Sequence, residues 1–258
     1  MADSDIPPLA VPPLTLLDGA ALFLDFDGTL VPLADVPDAV HVDADLHAML
    51  ERLRDALAGR LAIVSGRSVE TLRGSFGLGG FLLSGSHGLE MVRADGSIAA
   101  PERLPGVDVA QAALDRFAAG RPGVIVERKT LSVGLHYRRA PQWAEDAAVI
   151  VTALAQDTGL MIQPGKMALE LRPGGVDKGS ALMLMMDDSP MAGGTPLFIG
   201  DDVTDEQGFR AAAALGGHGI LVGPARDTHA VWRLEQVAAV RHYLSSYAAT
   251  AKGGASTP

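Results

Sequence analysis

Short apolar runs alternate along this chain with longer stretches in which apolar residues recur every three or four positions. Residues 21–26, 61–65, 81–84, 197–200 and 219–222 are apolar segments of strand length, the pattern of strands buried on both faces. Between some of them the period is helical. Val42, Leu46, Met49, Leu50, Leu53 and Leu57 predict a helix over 42–58, and 178–186 and 206–215 predict two more. Strands alternating with helices predict an α/β fold with a doubly wound, Rossmann-like parallel sheet.

The middle of the chain reads differently. GVIVERKTLSVGLHYR, residues 123–138, predicts a strand pair, 143–157 a helix, and 161–172 a strand. In GKMALELR, Lys166, Ala168, Glu170 and Arg172 share one face and Met167, Leu169 and Leu171 the other. In LSVGLHYR, Ser132, His136 and Arg138 lie opposite Leu131, Val133, Leu135 and Tyr137, with Glu127, Arg128 and Lys129 at the turn before it. These elements form an α+β module inserted in the α/β core. The expected domains are 1–100 with 174–258, and 101–173. A junction of two domains is a common place for a small-molecule site.

Composition narrows the function classes. With 258 residues, 48% hydrophobic, the chain has ample core for such a fold. A formal net charge of −10 argues against a nucleic-acid partner and means that an anionic substrate must be drawn in by local cations. The absence of cysteine excludes disulfides, zinc-thiolate sites and a cysteine nucleophile. The start, MADSDIPPLAVPPL, lacks the basic and apolar regions of a signal peptide, and no apolar run approaches the roughly 20 residues that span a bilayer. The expectation is a cytoplasmic monomer with no membrane association, frayed over 251–258.

The chemistry gathers where predicted strands end, the side on which open parallel sheets bind ligands. Asp25-Phe26-Asp27-Gly28-Thr29 follows the first strand, Ser65-Gly66-Arg67 the second, and Gly200-Asp201-Asp202-Val203-Thr204-Asp205 a later one, while Lys178 opens a helix. Each alone has a plain structural explanation as a turn or helix cap. Together they read as one phosphoryl-transfer site. Carboxylates from two strands, Asp25 and Asp201, suit Mg²⁺. Asp25 is the nucleophile candidate and Asp27 the acid/base. Ser65 and Lys178 would contact phosphate oxygens, and amides near Gly28 would help cradle them.

This set resembles the haloacid dehalogenase (HAD) superfamily of phosphatases: DFDGTL from Asp25, then Ser65, Lys178 and Gly200-Asp201-Asp202, in family order. The resemblance implies Mg²⁺ held by Asp25, Asp201 and the Asp27 carbonyl, with Asp202 and Asp205 serving the metal at one remove. The interval from Ser65 to Lys178 is 178 − 65 = 113 residues, against 65 − 27 = 38 from Asp27 to Ser65, so the insert lies in the former and resembles the α+β cap of the sugar-phosphate branch.

SGSHGLE (84–90), ERKTLSVGLHYR, GKMALELRP and GDDVTDE resemble, within that branch, the trehalose-6-phosphate phosphatases. That likeness implies hydrolysis of trehalose 6-phosphate through an aspartyl-phosphate, the last step of trehalose biosynthesis. It implies substrate contacts from Thr29, Gly66, Arg67, His87 and Gly88, and sugar hydroxyls met by Glu127, Lys129, Arg138, Lys166 and Glu170. It leaves Arg128 without a role. Two rivals stay open: an enzyme acting on another sugar phosphate, including a phosphomutase, and a non-catalytic sugar-phosphate sensor. The intact Asp25, Asp27, Lys178 and Asp201 argue against the sensor.

Overall fold

A computed structural model describes residues 9–33, 40, 42–74, 76–93, 95–188 and 190–253. The elements are β1 (Ala20–Leu24), α1 (Ala44–Ala56), β2 (Leu61–Val64), α2 (Val69–Gly74), β3 (Leu82–Gly85), β4 (Glu90–Val92), β5 (Ile98–Ala99), α3 (Pro105–Ala118), β6 (Ile125–Arg128), β7 (Val133–His136), α4 (Ala144–Thr158), β8 (Met161–Gly165), β9 (Ala168–Arg172), α5 (Lys178–Met186), β10 (Thr195–Gly200), α6 (Glu206–Ala214), β11 (His218–Val222), β12 (Trp232–Leu234) and α7 (Val237–Gly253).

Eight strands form one sheet in the order β12-β11-β10-β1-β2-β3-β4-β5. The first six pair in parallel; β4 and β5 close the edge antiparallel. The continuous apolar runs are explained by burial on two faces. Leu22 and Leu24 of β1, with Leu61, Ile63, Leu197 and Ile199, join α1 and α7 in one core. Ala21, Phe23, Ala62, Val64 and Phe198 join α5 and α6 in another. Alternate residues of each strand thus feed opposite layers.

The chain divides into two compact units. One holds the large sheet and runs to Leu33, from Val40 to Ala99 and from Asp177 onward; the described residues of the other are 100–176. The sequence puts the insert at 101–173. The second unit has its own antiparallel sheet, β6-β7-β9-β8, with Val133, Leu135 and Leu171 packed against α3 and α4 in a separate core.

Three expectations need correction. The single strand at 161–172 is a hairpin. Lys166-Met167 turns the chain between paired Gly165 and Ala168, with Met167 at φ 61° and exposed, so Met167 is not part of the apolar face. Helices α3 and α7 do not appear in the sequence reading; α3 opens on Pro105 in its first turn, a favourable place for a residue with no N–H. Helix α7 runs to Gly253, past the expected fraying point, whereas 254–258 and the acidic first eight residues lie outside the described residues. No helix among the described residues is long and apolar enough to cross a membrane.

Candidate active site

Strands β10, β1, β2 and β3 are neighbours and parallel, so their carboxyl ends lie along one edge. Asp25 follows β1, with its N–H bonded to the Ile199 carbonyl at 2.9 Å. Ser65 follows β2, Ser86-His87-Gly88 follows β3, and Asp201 follows β10. Lys178 reaches the same edge from the first position of α5. A reciprocal cap fixes that helix start: Asp177 Oδ1 accepts the Ser180 N–H at 2.8 Å, and Ser180 Oγ accepts the Asp177 N–H at 2.8 Å.

Lys178 Nζ donates to Asp25 Oδ1 at 2.7 Å and to Asp205 Oδ1 at 2.6 Å, and all three side chains are buried. One carboxylate oxygen each from Asp25, Asp201 and Asp205 lie within 4.8 Å of one another. Charge counting explains the proton affinities. Burial, then Asp205, push the Asp25 carboxyl well above its ordinary value; Lys178 opposes them and Asp201 adds to them. Burial alone would depress Lys178, but the two carboxylates on its ammonium outweigh it and hold it charged. Two buried carboxylates thus share one ammonium, with the half-buried Asp201 beside them.

A divalent cation fits here. Asp25 Oδ2 is buried and has no hydrogen-bond partner among the described residues. Hard oxygen donors converge, which is the donor set Mg²⁺ takes. Gly28 makes room for it: at φ 86°, a Cβ there would sit 2.1 Å from Asp201 Oδ2.

The remaining expected residues fall in three places. Asp202, expected among the metal residues, turns its carboxylate to the Val203 N–H at 2.8 Å as a cap, and Asp205 takes the third position in the acidic group. The Asp202 N–H in turn donates to Asp205 Oδ2 at 2.9 Å. Asp27 is held by Arg67, whose Nε and Nη2 each reach a carboxylate oxygen at 2.7 Å. Arg67, expected at the substrate, therefore engages the acid/base candidate and lies over the Phe76 ring at 5.0 Å. The Ser65 Oγ accepts the Arg67 N–H at 3.1 Å. His87 packs where a Cβ of Gly66 would stand, 2.5 Å from its Nε2, and Gly88 lies against the Asp177 carbonyl. Thr29 is fully buried, and its Oγ1 has no hydrogen-bond partner among the described residues.

In the second unit, pairing sets Glu127, Gly134 and Glu170 side by side across β6, β7 and β9. With no side chain at Gly134, the two carboxylates approach one ammonium: Lys129 Nζ lies 3.8 Å from Glu127 and bonds Glu170. Ser132 Oγ donates to Glu170 at 2.6 Å, and His136 Nε2 pairs with Glu127 at 2.8 Å. Burial raises the Glu127 carboxyl, but Lys129 and His136 outweigh it and the net shift is downward. Arg138 binds the Lys166 carbonyl at 3.1 Å and fastens the β8–β9 turn. Arg128, without a role in the sequence, pairs with Asp115 of α3 at 2.8 Å. Arg103 pins the Lys129 and Thr130 carbonyls at 2.7 and 2.6 Å. Nothing in the sequence pattern distinguishes Arg103.

A family model for trehalose-phosphatases matches residues 23–238. The chain belongs to the trehalose-phosphatase family. A probable trehalose-phosphate phosphatase of Sinorhizobium fredii is 39% identical over 212 residues, 81% of this chain and 80% of that protein. The trehalose-6-phosphate phosphatase of Escherichia coli is 36% identical over 228 residues, 87% and 85% respectively. A solved structure described as a trehalose-6-phosphate phosphatase related protein superposes with a TM-score of 0.75 at 28% identity, covering 90% of this chain and 99% of that one. The core architecture is that of haloacid dehalogenase-like hydrolases.

Proposed function

We propose that this family member is a cytoplasmic, Mg²⁺-dependent phosphatase that converts trehalose 6-phosphate to trehalose and phosphate. The observation that carries the reading is the buried Asp25–Lys178–Asp205 group beside Asp201, in a chain of this family. Asp25, Asp201 and Asp205, with the Asp27 carbonyl, would hold Mg²⁺, which when bound offsets negative charge on the transferring phosphoryl group. An Asp25 carboxylate oxygen attacks phosphorus, the bond to the sugar oxygen breaks, and the phosphoryl group becomes an aspartyl-phosphate. Asp27 gives its proton to the departing sugar oxygen. Asp27 then takes a proton from water, which attacks phosphorus and restores Asp25 with release of phosphate. Lys178 keeps Asp25 in place and neutralises part of its charge; Ser65 donates to a phosphate oxygen. Glu127, Lys129 and Glu170 pair with sugar hydroxyls, accepting through carboxylates and donating through the ammonium; Arg138 and Lys166 add charge at the β8–β9 turn.

Phosphate release from trehalose, sucrose, glucose and mannose 6-phosphates, each with Mg²⁺ and with EDTA, tests this. Release from trehalose 6-phosphate alone, abolished by EDTA, is expected. Release from another sugar phosphate alone overturns the substrate; phosphate returned to sugar rather than released identifies a mutase. Mg²⁺ should also raise Tm, because a ligand of the folded state alone stabilises it by mass action. Asp201→Asn should remove that rise, and an unchanged rise would remove Asp201 from the metal set.

A further inference from the structure

Just beyond β3 the backbone turns left-handed at three successive residues: Ser86 at φ 50°, His87 at φ 55° and Gly88 at φ 102°. Only the third is glycine, so the first two are strained unless their surroundings hold them. The surroundings are specific. The Ser86 N–H donates to the Arg67 carbonyl at 2.8 Å and the His87 N–H to the Ser65 carbonyl at 3.0 Å. On its other side the turn meets α5, where Gly88 packs so closely on the Asp177 carbonyl that a Cβ would stand 2.6 Å from it. The turn is therefore wedged between the loop carrying Ser65 and Arg67 and the helix start carrying Lys178.

A buried carboxylate with no part in the chemistry above locks this wedge. Glu90, 4% exposed on β4, uses one oxygen twice: Oε2 accepts Ser86 Oγ at 2.6 Å and the Val69 N–H at 3.2 Å. It thereby ties the strained turn to the start of α2, directly after the Ser65 loop. Gly85 allows the approach, since a Cβ there would lie 2.6 Å from the Val69 nitrogen.

We propose that Glu90 is a positioning residue: by holding the Ser86–Gly88 turn left-handed, it sets the spacing between the Ser65–Arg67 loop and Lys178. The inference rests on the phosphoryl-transfer reading of that edge. It predicts a fault in geometry rather than in affinity, because misplacement of a reacting group by about 1 Å lowers rate on the order of 10²-fold.

The test compares Glu90→Ala with Glu90→Gln, whose amide oxygen accepts the same two hydrogen bonds. Expected for Glu90→Ala is a kcat at least about tenfold lower with KM within about threefold, and faster amide exchange over 65–69 and the first turn of α5. Glu90→Gln should restore kcat to within about threefold and restore protection. Wild-type rate and exchange in Glu90→Ala overturn the proposal, as does equal damage in both variants, which would assign the effect to charge. If Glu90→Ala does not fold, Ser86→Ala removes one of the two bonds; unchanged exchange and kcat there overturn the proposal as well. Exchange is read without substrate, so a wild type inactive on trehalose 6-phosphate sinks the function while the exchange comparison still decides this point.

Discussion

Lys178 donates to two buried carboxylates, Asp25 and Asp205, and removing the lysine or the Asp25 charge should move stability in opposite directions. Lys178→Ala leaves the buried carboxylates uncompensated, and removal of one member of a buried pair is destabilising by about 3–5 kcal/mol. Asp25→Asn removes a charge whose ionisation the folded state disfavours, through burial first and then Asp205. A carboxyl raised in the folded state subtracts stability once pH exceeds its unfolded value, so without Mg²⁺ Asp25→Asn should melt at or above the wild-type Tm at pH 7.5 while losing turnover. Retained turnover would remove Asp25 as nucleophile. Asp43 shows the opposite sign. Its Oδ1 caps α1 through the Leu46 N–H at 2.7 Å, and its Oδ2 meets Arg241 of α7 at 2.8 Å. Arg241, then the Leu46 N–H, hold its carboxyl below the ordinary value. That stability is fully present above the ordinary carboxylate range and is lost as pH falls through the lowered value. Asp43→Ala should be less stable by about 1 kcal/mol at pH 7, the usual worth of such a cap, with the difference shrinking in acid. A deficit that does not shrink in acid would exclude the carboxylate as its source.

Elements were legible where local chemistry and pattern agree. Helix α5 begins at Lys178, as the sequence predicts, because Asp177 and Ser180 form a local cap around an apolar run. The strands that end in Asp25, Ser65 and Asp201 announce themselves because two-sided burial leaves no polar interruption. The β8–β9 hairpin was hidden by the alternation of GKMALELR, which continues through the turn. Long-range pairing was not legible: Asp27 and Arg67 lie 40 positions apart, and only the fold brings them together. The same holds for the support of the acidic loop after β10. Glu206 opens α6 and accepts from Arg226, from Thr228 Oγ1 at 2.8 Å and from the His229 N–H at 2.8 Å. Arg226 Nη2 also binds the Asp202 carbonyl at 2.9 Å. Acidic crowding in GDDVTDE hints at Glu206, but nothing in the sequence marks Arg226 as its partner. Because this clamp orients the backbone that carries Asp201 and Asp205, Arg226→Ala should raise the Mg²⁺ concentration needed for half-maximal activity by about tenfold. A Mg²⁺ titration checks this; an unchanged midpoint would make the clamp purely structural.

At the scale of the whole chain, the second compact unit has a hydrophobic core of its own. Every member of that core lies between Val107 and Leu171, from α3, α4, the strands between and after them, and the connections at Val124, Ala140 and Leu160. The segment is continuous, from Ala100 to Val176, and 176 − 99 = 77 residues long. Its sheet is antiparallel throughout, β6 and β7 joined by a short loop and β8 and β9 by a tight turn, so only the crossing from β7 to β8 through α4 is a long connection. The face away from Val133, Leu135 and Leu171 carries Glu127, Lys129, His136 and Glu170, polar groups that satisfy one another. Domains of this size bury just enough surface to fold alone, with small margins. Residues 100–176 expressed by themselves should therefore fold, giving a dispersed amide spectrum and one cooperative thermal transition, though at a lower Tm than the intact chain. Ser132→Ala should lower that transition further, because Glu170 loses a buried donor, a change worth about 1–3 kcal/mol. A collapsed fragment without cooperative melting would show that the core between Val107 and Leu171 does not suffice, and that the unit borrows stability from the chain on either side.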